Sequence, residues 1–185
     1  MLDQAVELAS RVGLDGVTIG ALAQRAELSK SGLFAHFRSK EALQLATLAQ
    51  ARERFNDAVV RPALRRPRGE PRLRELFERW VVTGREGMPG SCLFVAASHE
   101  FADRPGLVRD EVVAGHRDLA DVVAQVYRSG VTDGHFRADL DPDQVAHDVY
   151  GVMLAFYHGH RLLADPAAES RTRASFDRLL DHVRA

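Results

Sequence analysis

The segment from Thr18 to Lys40 constrains the fold more than any other part of this 185-residue chain. Apolar residues recur in it at helical spacing in two short runs, and Thr18, Ser29 and Ser39 each stand where a hydroxyl can cap a helix N-terminus. Leu33 and Phe37 lie one turn apart and should pack inward together. The pattern predicts two short helices joined by a tight turn, with a third helix directly after them. Such a helix-turn-helix can place a helix N-terminus in the major groove of DNA.

The rest of the sequence predicts an all-α protein of about nine helices. A long fourth helix should run from residue 40 towards residue 60, where Pro62 ends or kinks it. Asp141 and Pro142 supply a cap and a first-turn proline for a helix that extends to about Leu163. Residues 130–134 are predicted to form a loop. Nothing in the chain shows the alternation of a convincing strand.

Composition narrows the class of protein. A hydrophobic content of 45% and a charged content of 28% are typical of a soluble globular chain. No apolar run approaches the roughly 20 residues that span a bilayer, and the start lacks the basic and apolar regions of a secretory signal. Cys92 is the single cysteine, which excludes an intrachain disulfide. We therefore expect a cytoplasmic protein with no membrane partner.

Charge is distributed unevenly along the chain. Residues 1–68 carry 11 Lys and Arg against 7 Asp and Glu, whereas residues 69–185 carry 14 against 19. The net charge of the whole chain is only −1, and the asymmetry could arise by chance. A basic amino-terminal part followed by an acidic carboxy-terminal part nevertheless suits a DNA-binding domain joined to a domain that does not bind DNA.

Residues 2–48 resemble the amino-terminal DNA-binding domain of the tetracycline-repressor (TetR) family of bacterial transcription regulators. The motifs that carry the resemblance are Gly13-Leu14-Asp15-Gly16-Val17-Thr18, Ser29-Lys30-Ser31-Gly32-Leu33-Phe34-Ala35-His36-Phe37 and Ser39-Lys40-Glu41-Ala42-Leu43. The back half resembles more loosely the effector domain of one branch of the family. The resemblance implies a helix-turn-helix domain over residues 1–46 and a helical ligand-binding and dimerisation domain over residues 47–185. It further implies a transcriptional regulator and not an enzyme: a repressor released from a palindromic operator by a small-molecule effector.

The motif positions identify candidate DNA contacts. They are Thr18, Ser29, Lys30, Ser31, Gly32, Phe34, His36 and Lys40. Lys30 can reach a guanine edge or a phosphate, and Gly32 allows close approach to the duplex at the expense of helix propensity. His36 and Lys40 occupy phosphate-contact positions of the family. Helix packing is the alternative for Gly32, and a packed surface histidine is the alternative for His36.

Two departures from the family pattern concern the DNA contacts. Phe34 stands where the family usually has tyrosine, so either a phosphate hydrogen bond is lost or the ring turns inward. The chain also begins almost at the first helix, so we expect no contact from the basic arm that often precedes it, unless the natural start lies upstream.

The family resemblance also implies an effector pocket and a homodimer. Aromatic, sulfur and imidazole side chains suggest an apolar or aromatic effector, although core packing is an alternative for each of them. The candidates for the pocket are Phe55, Trp80, Met88, Cys92, Phe94, His99, Phe101, His116, Tyr127, Tyr150, Met153 and Tyr157. The candidates for the dimer interface lie on the last two helices, the first of which is apolar on more than one side. They are Val145, Val149, Gly151, Val152, Ala155, Phe156, Gly159, Phe176, Leu179, Leu180 and Val183. A central helix within a monomer is the alternative for this pattern.

Other classes of function have weaker support. His99 with Glu100 and Asp103, or Asp143 with His147, could ligate a metal in an all-helical enzyme or a metal-sensing regulator. The sequence has no His-Glu-x-x-His, Cys-x-x-Cys, nucleophile elbow or phosphate-binding glycine loop, so we expect no catalytic residues, metal or cofactor. A third alternative is an interaction module that has lost DNA binding. The expected partners are operator DNA, a second copy of the chain and the effector.

Overall fold

The structure is a computed structural model that describes residues 1–27, 29–86 and 93–185, and all the regular secondary-structure elements of these residues are helices. The elements are α1 Leu2–Val12, α2 Ile19–Ala26, α3 Lys30–His36, α4 Lys40–Phe55, a π-helical segment π1 Asn56–Val60, α5 Arg61–Leu64, α6 Glu70–Glu86, α7 Leu93–Phe101, α8 Leu107–Thr132, α9 Pro142–Tyr157, a second π-helical segment π2 His158–Leu162 and α10 Ala168–Val183. If α4, π1 and α5 count as one continuous helix, and α9 with π2 as another, the described residues form nine helices. The prediction of an all-α fold is therefore confirmed.

The helix that was predicted to end or kink at Pro62 changes from α to π geometry at π1 and continues past the proline as α5. Proline has no N–H to donate to the carbonyl four residues earlier, which here belongs to Ala58. Arg79 donates to that carbonyl oxygen from its Nη1 at 3.3 Å. A side chain of α6 thus donates to a carbonyl oxygen to which Pro62 has no N–H to donate.

The prediction of a loop over residues 130–134 was wrong at the start of this range, because α8 continues to Thr132. Gly130 is part of this helix, and a Cβ at Gly130 would lie 2.3 Å from Cδ2 of Phe136. The ring of Phe136 also stacks on Tyr127, with ring centroids 5.1 Å apart. Packing of this aromatic pair against bare backbone explains why a glycine is tolerated inside the helix.

The chain divides into two compact units. Unit 1 contains the described residues of Met1–Asn56 and Gly87–His116, and so extends beyond the predicted DNA-binding region of residues 1–46. Its core includes the fully buried Leu14, Leu22 and Leu33. These leucines come from α2, α3 and the turn before α2, so the same core fixes all three segments.

Unit 2 contains Asp57–Glu86 and Arg117–Ala185. Phe77 of α6 and Phe176 of α10 stack with their ring centroids 3.7 Å apart. Arg184, just after α10, donates to both carboxylate oxygens of Glu70 at 2.8 and 2.6 Å. The hydrogen bonds from Arg184 and Arg74 lower the pKa of Glu70 to about 2, so this carboxylate ties the start of α6 to the C-terminus.

Candidate DNA-binding surface, effector region and dimer face

Three hydroxyl caps set the starts of the helices that surround the candidate DNA-binding surface. The Thr18 hydroxyl oxygen accepts from the N–H of Ala21 at 3.1 Å, and those of Ser29 and Ser39 accept from the third residue after each of them, at 3.1 and 3.0 Å. These are the three caps predicted from the sequence, and all are confirmed. Each cap satisfies one backbone donor and fixes the direction in which the first turn of its helix points.

Helix α3 has one buried and one exposed side. Leu33 and Phe37 are buried in unit 1, whereas Ser31, Gly32 and His36 are exposed. Phe34 also points outward, with 48% of its surface exposed. The sequence left open whether this ring turns inward, and the structure places it on the surface. The exposed side therefore presents hydroxyl, bare backbone, aromatic and imidazole groups together.

Lys40 stands exposed at the start of α4, where it forms an ion pair. Its Nζ lies 2.7 Å from Oδ1 of Asp15, and Nη1 of Arg104 lies 2.9 Å from Oδ2 of the same carboxylate. The hydrogen bonds from Lys40 and Arg104 lower the pKa of Asp15 to about 2. Asp15 is thus ionised at neutral pH and shared between two cations.

The turn that carries Asp15 is held by Glu100 of α7. The two carboxylate oxygens of Glu100 accept from the N–H groups of Leu14 and Asp15 at 3.1 and 2.7 Å. Gly13 has a φ of 81°, and a Cβ there would lie 2.9 Å from Oε1 of Glu100. The glycine is therefore required both by its backbone conformation and by the close carboxylate.

Arg38 is a surface cation that the sequence analysis missed. It is exposed between His36 and Lys40, and it forms no ion pair with any residue that the structure describes. A guanidinium so close to the exposed side of α3 is suited to a backbone phosphate. The signal in the sequence was the run of basic residues 36, 38 and 40, which our motif-based selection passed over.

The predicted effector residues of unit 1 differ in their exposure. Phe94 and Phe101 are buried, Phe55 is half-buried and His99 is exposed. The ring of His116 lies edge-on to Phe94, with its Nε2 3.1 Å from the Phe94 carbonyl oxygen. Burial lowers the pKa of His116, which favours a neutral ring at pH 7.

The predicted effector residues of unit 2 mostly lie in its core. Trp80, Tyr127 and Met153 are fully buried, and Tyr157 is nearly so. The half-buried Tyr150 packs edge-on to Trp80, with ring centroids 5.3 Å apart. The Tyr127 hydroxyl donates to the carbonyl of Arg137 at 2.6 Å, so this residue has a structural role in any case. Two further candidates, Met88 and Cys92, lie outside the described residues.

The predicted dimer residues separate into a buried and an accessible set. Six of them are at most 3% exposed, because other residues of unit 2 cover them: Val145, Val149, Phe156, Phe176, Leu180 and Val183. The structure assigns these six to the core of unit 2, where they cannot touch a second chain directly. The other five are exposed or half-buried: Gly151, Val152, Ala155, Gly159 and Leu179.

Four residues of the accessible set, all except Leu179, line a groove between α9 and α10. Gly151 and Ala155 of α9 and Gly159 of π2 line it with small side chains on one side, and Arg171 and Ser175 line it along α10. Three leucines that were not among our candidates add apolar surface nearby: Leu154 of α9, Leu162 at the end of π2 and Leu163 directly after it, which are 41%, 72% and 62% exposed. We define the groove residues, the three leucines and the accessible set together as the α9–α10 face.

Comparison with known protein families identifies the chain. The amino-terminal domain of bacterial regulatory proteins of the TetR family matches residues 1–47. A tetracycline repressor-like C-terminal domain matches residues 69–176, more than half of the chain. The chain belongs to the TetR family. It is therefore a DNA-binding transcriptional regulator, and the predictions of family and of general function are confirmed.

Individual TetR-family proteins resemble the chain at low sequence identity. The HTH-type transcriptional regulator BetI of Escherichia coli (strain K12) is 25% identical over 158 residues, which cover 82% of this chain and 74% of BetI. A TetR regulator from Chloroflexus aurantiacus has 20% identity and a TM-score of 0.87, covering 99% of this chain and 93% of that one. AibR, solved in complex with isovaleryl coenzyme A and operator DNA, has 21% identity and a TM-score of 0.70, covering 92% and 93%. At these identities the two structures show that the fold is shared.

Two properties of the described residues concern other classes of protein. Among the described residues, no helix combines the length and the apolar character that crossing a membrane requires. Within the same residues, no group of three or more His, Cys, Asp or Glu side chains lies close enough together to hold a metal ion. The metal-ligand pairs considered from the sequence therefore gain no support from the structure.

Proposed function

We propose that the protein is a cytoplasmic homodimeric repressor, which binds a near-palindromic operator and is released from it by a small apolar or aromatic molecule. The observation that carries the DNA part is the exposed side of α3. Ser31, Gly32, Phe34 and His36 all face outward there, next to the exposed Lys40. In a chain of this family, that side is the surface most suited to a major groove.

The residues at the start and on the exposed side of α3 have proposed roles on DNA. Lys30, at the first position of α3, reads a base edge, and Ser31 contacts the backbone or a base. Among the described residues, a Cβ at Gly32 would meet only the hydroxyl that caps α3, Ser29 Oγ at 3.0 Å, so we propose that the outer side of this glycine is open to the duplex. His36 and Lys40 bind phosphates.

The capping residues act on the same phosphates indirectly. Thr18, Ser29 and Ser39 direct the first turns of α2, α3 and α4, whose remaining backbone N–H groups can donate to phosphate oxygens. Phe34 contributes apolar contact with sugar or thymine methyl groups instead of a hydrogen bond.

The α9–α10 face is proposed to form the dimer. Its three small residues leave a smooth strip on which a second helix can approach closely, and its exposed leucines supply apolar surface. A dimer related by a two-fold axis presents two recognition helices to two half-sites, about 34–36 Å apart or a little more. We therefore assign DNA binding to residues 1–46, and dimerisation and effector binding to residues 47–185.

The effector is proposed to act through the residues already named as its candidates. The neighbour AibR was solved with an acyl coenzyme A and operator DNA, which supports an organic effector for this fold without identifying the one used here. An effector that binds near Phe55, at the end of α4, can tilt that helix and change the spacing of the recognition helices. To release DNA, it must prefer the DNA-incompetent state by a few kcal/mol.

The experiment that tests this proposal is a retardation and footprinting assay on DNA flanking the gene. We expect protection of an inverted repeat and a steep loss of affinity as salt is raised. The protein should also select the same repeat from a random duplex library. Failure to retard any fragment at low salt, together with no inverted repeat after selection, would refute DNA recognition by this chain.

The effector part requires a separate screen. Apolar and aromatic metabolites are tested by thermal shift, and hits are then added to the protein–operator complex. A hit should raise the melting temperature of the free protein and lower its operator affinity, and by reciprocity operator DNA should weaken its binding by the same factor. A ligand that saturates the protein and leaves operator affinity unchanged would contradict release by that ligand.

A further inference from the structure

The ion pairs around Asp15 join two cations through one carboxylate. Lys40 approaches one oxygen and Arg104 the other, at 2.7 and 2.9 Å. All three side chains keep more than two-fifths of their surface exposed, so they lie at the surface of unit 1. Asp15 stays charged at neutral pH, since its pKa is held near 2. Two cations and one anion give this cluster a formal charge of +1, which would fall to zero if either cation left.

The backbone geometry keeps Asp15 in this position. Glu100 accepts from the N–H of Asp15 at 2.7 Å and from that of Leu14 at 3.1 Å. The guanidinium of Arg104 also lies over the ring of Phe101, 5.8 Å from its centroid. The carboxylate and one of its cations are thus both fixed by residues of α7 and of the turn that follows α7.

We propose that Asp15 is an internal counter-ion that limits the affinity of this protein for the DNA backbone, and that Arg104 sets how strongly it does so. The proposal rests on the proposed function, in which Lys40 binds a phosphate. On DNA, Asp15 competes with the phosphate for the Lys40 ammonium and repels the phosphate as well. Arg104 draws part of the carboxylate's charge away from Lys40, and supplies a second cation for the backbone.

The arrangement gives the carboxy-terminal part of the sequence a way to influence DNA affinity. A movement of the α7–α8 turn that withdraws Arg104 leaves Asp15 paired with Lys40 alone, and the net charge of the cluster falls to zero. Because the effect acts on phosphates, it changes the affinity for all sequences alike and leaves base preference unaltered.

The test compares Asp15→Asn with the unmodified protein on operator and random duplexes over a range of salt concentrations. Asparagine keeps the shape of the side chain and can still accept a hydrogen bond from Lys40, but it removes the negative charge. One charge about 6 Å from a phosphate in water-like surroundings changes affinity about 3- to 10-fold, hence about 10- to 100-fold for a dimer with two copies. We expect affinity to rise by this factor on both duplexes, and the salt dependence to steepen by about one unit per subunit.

Variants of Arg104 give the opposite sign. Arg104→Gln should lower the affinity for both duplexes by a comparable factor, whereas Arg104→Lys keeps the charge and should bind as the unmodified protein does. Asp133→Asn removes the same charge from an exposed position in unit 2, and serves as the matched control. Circular dichroism melts of each variant establish that it is folded under the assay conditions.

The outcomes separate this inference from the function on which it rests. If the unmodified protein binds no DNA, the proposed function fails. If it binds, and Asp15→Asn leaves its affinity unchanged or lowers it, Asp15 has a structural role only and the counter-ion proposal is overturned. Should Asp15→Asn fail to fold, an unchanged affinity of the folded Arg104→Gln variant overturns the proposal in the same way.

Discussion

Replacing Gly151 with leucine separates the stability of one chain from that of the proposed dimer, because the two should change in opposite directions. Gly151 lies inside α9 and is exposed, and a Cβ built on it would meet no atom of the described residues within 4 Å. A leucine side chain therefore begins in open space in the single chain. In the interior of a helix it is more favourable than glycine by about 0.8 kcal/mol. If no second chain covered this position, the melting temperature would rise by about 2–3 °C.

The proposed dimer reverses that result. Gly151 lies on the strip of small residues where we expect a helix of the second chain to approach closely. Adding a leucine side chain to a packed interface costs about 1–3 kcal/mol, and the two-fold axis applies this cost twice. A loss of about 2–6 kcal/mol corresponds to a dimer dissociation constant raised roughly 30- to 20,000-fold.

Sedimentation velocity over a concentration series measures the dissociation constant, and circular dichroism gives the melting temperature of the same samples. Ala96→Leu adds a comparable side chain at an exposed position of α7, and should leave dimerisation unchanged. An unchanged dissociation constant for Gly151→Leu, combined with a higher melting temperature, would show that the chains do not meet at this strip.

Four further expectations follow from individual side chains. Phe34→Tyr places a hydroxyl on the exposed side of α3. If this hydroxyl reaches a phosphate, operator binding measured by fluorescence anisotropy should tighten by about 1 kcal/mol per subunit, and no gain in affinity would mean that no phosphate lies within its reach. Lys30→Ala should cost about 1–3 kcal/mol on the operator and little on random DNA, so equal losses on the two would mean that Lys30 reads no base. Ser39→Ala removes the cap of α4 and should lower the free energy of unfolding by about 1 kcal/mol in a urea titration, an effect that Ser39→Asp should largely avoid. Glu70 has a pKa near 2 in the folded chain, below the roughly 4.3 of an unfolded glutamate, so its contribution to stability is complete above about pH 4.3 and disappears as the pH falls towards 2. In Glu70→Gln, the melting temperature should therefore depend less on pH between about 4.3 and 2. An unchanged pH dependence in this range would contradict the stabilising role of the Glu70 carboxylate.

Local features of the fold were predictable from the sequence. The caps at Thr18, Ser29, Ser39 and Asp141 depend on a side chain and a backbone N–H two or three residues away, so short-range pattern was sufficient. The helix-turn-helix and the exposed side of α3 followed from the same local pattern. The conformation of Gly130 was predicted wrongly. Its low helix propensity favours a loop, but its packing against Phe136, which lies outside the local pattern, keeps it in the helix.

Features that depend on distant residues could not be predicted in this way. Helical periodicity placed Val149 and Phe156 on an apolar stripe, but it does not say whether that stripe meets another helix of the same unit or a second chain. The hydrogen bonds of Glu100 with Leu14 and Asp15 join positions that are separated by 86 and 85 residues in the sequence. One sequence carries no signal for a pairing of that kind, and so the ion pair of Lys40 was missed as well.

The contact between Glu100 and the turn before α2 bears on how regulators of this kind exchange parts during evolution or in the laboratory. A hybrid joined near residue 46 would take the turn at Leu14 and Asp15 from one parent. The residue at the position of Glu100, whose carboxylate accepts hydrogen bonds from this turn, would come from the other parent. Such a hybrid would lose two hydrogen bonds unless the second parent also had an acidic residue at the same place in its α7. Compatible parents could thus be chosen by that one position, and incompatible hybrids could be repaired by transplanting it.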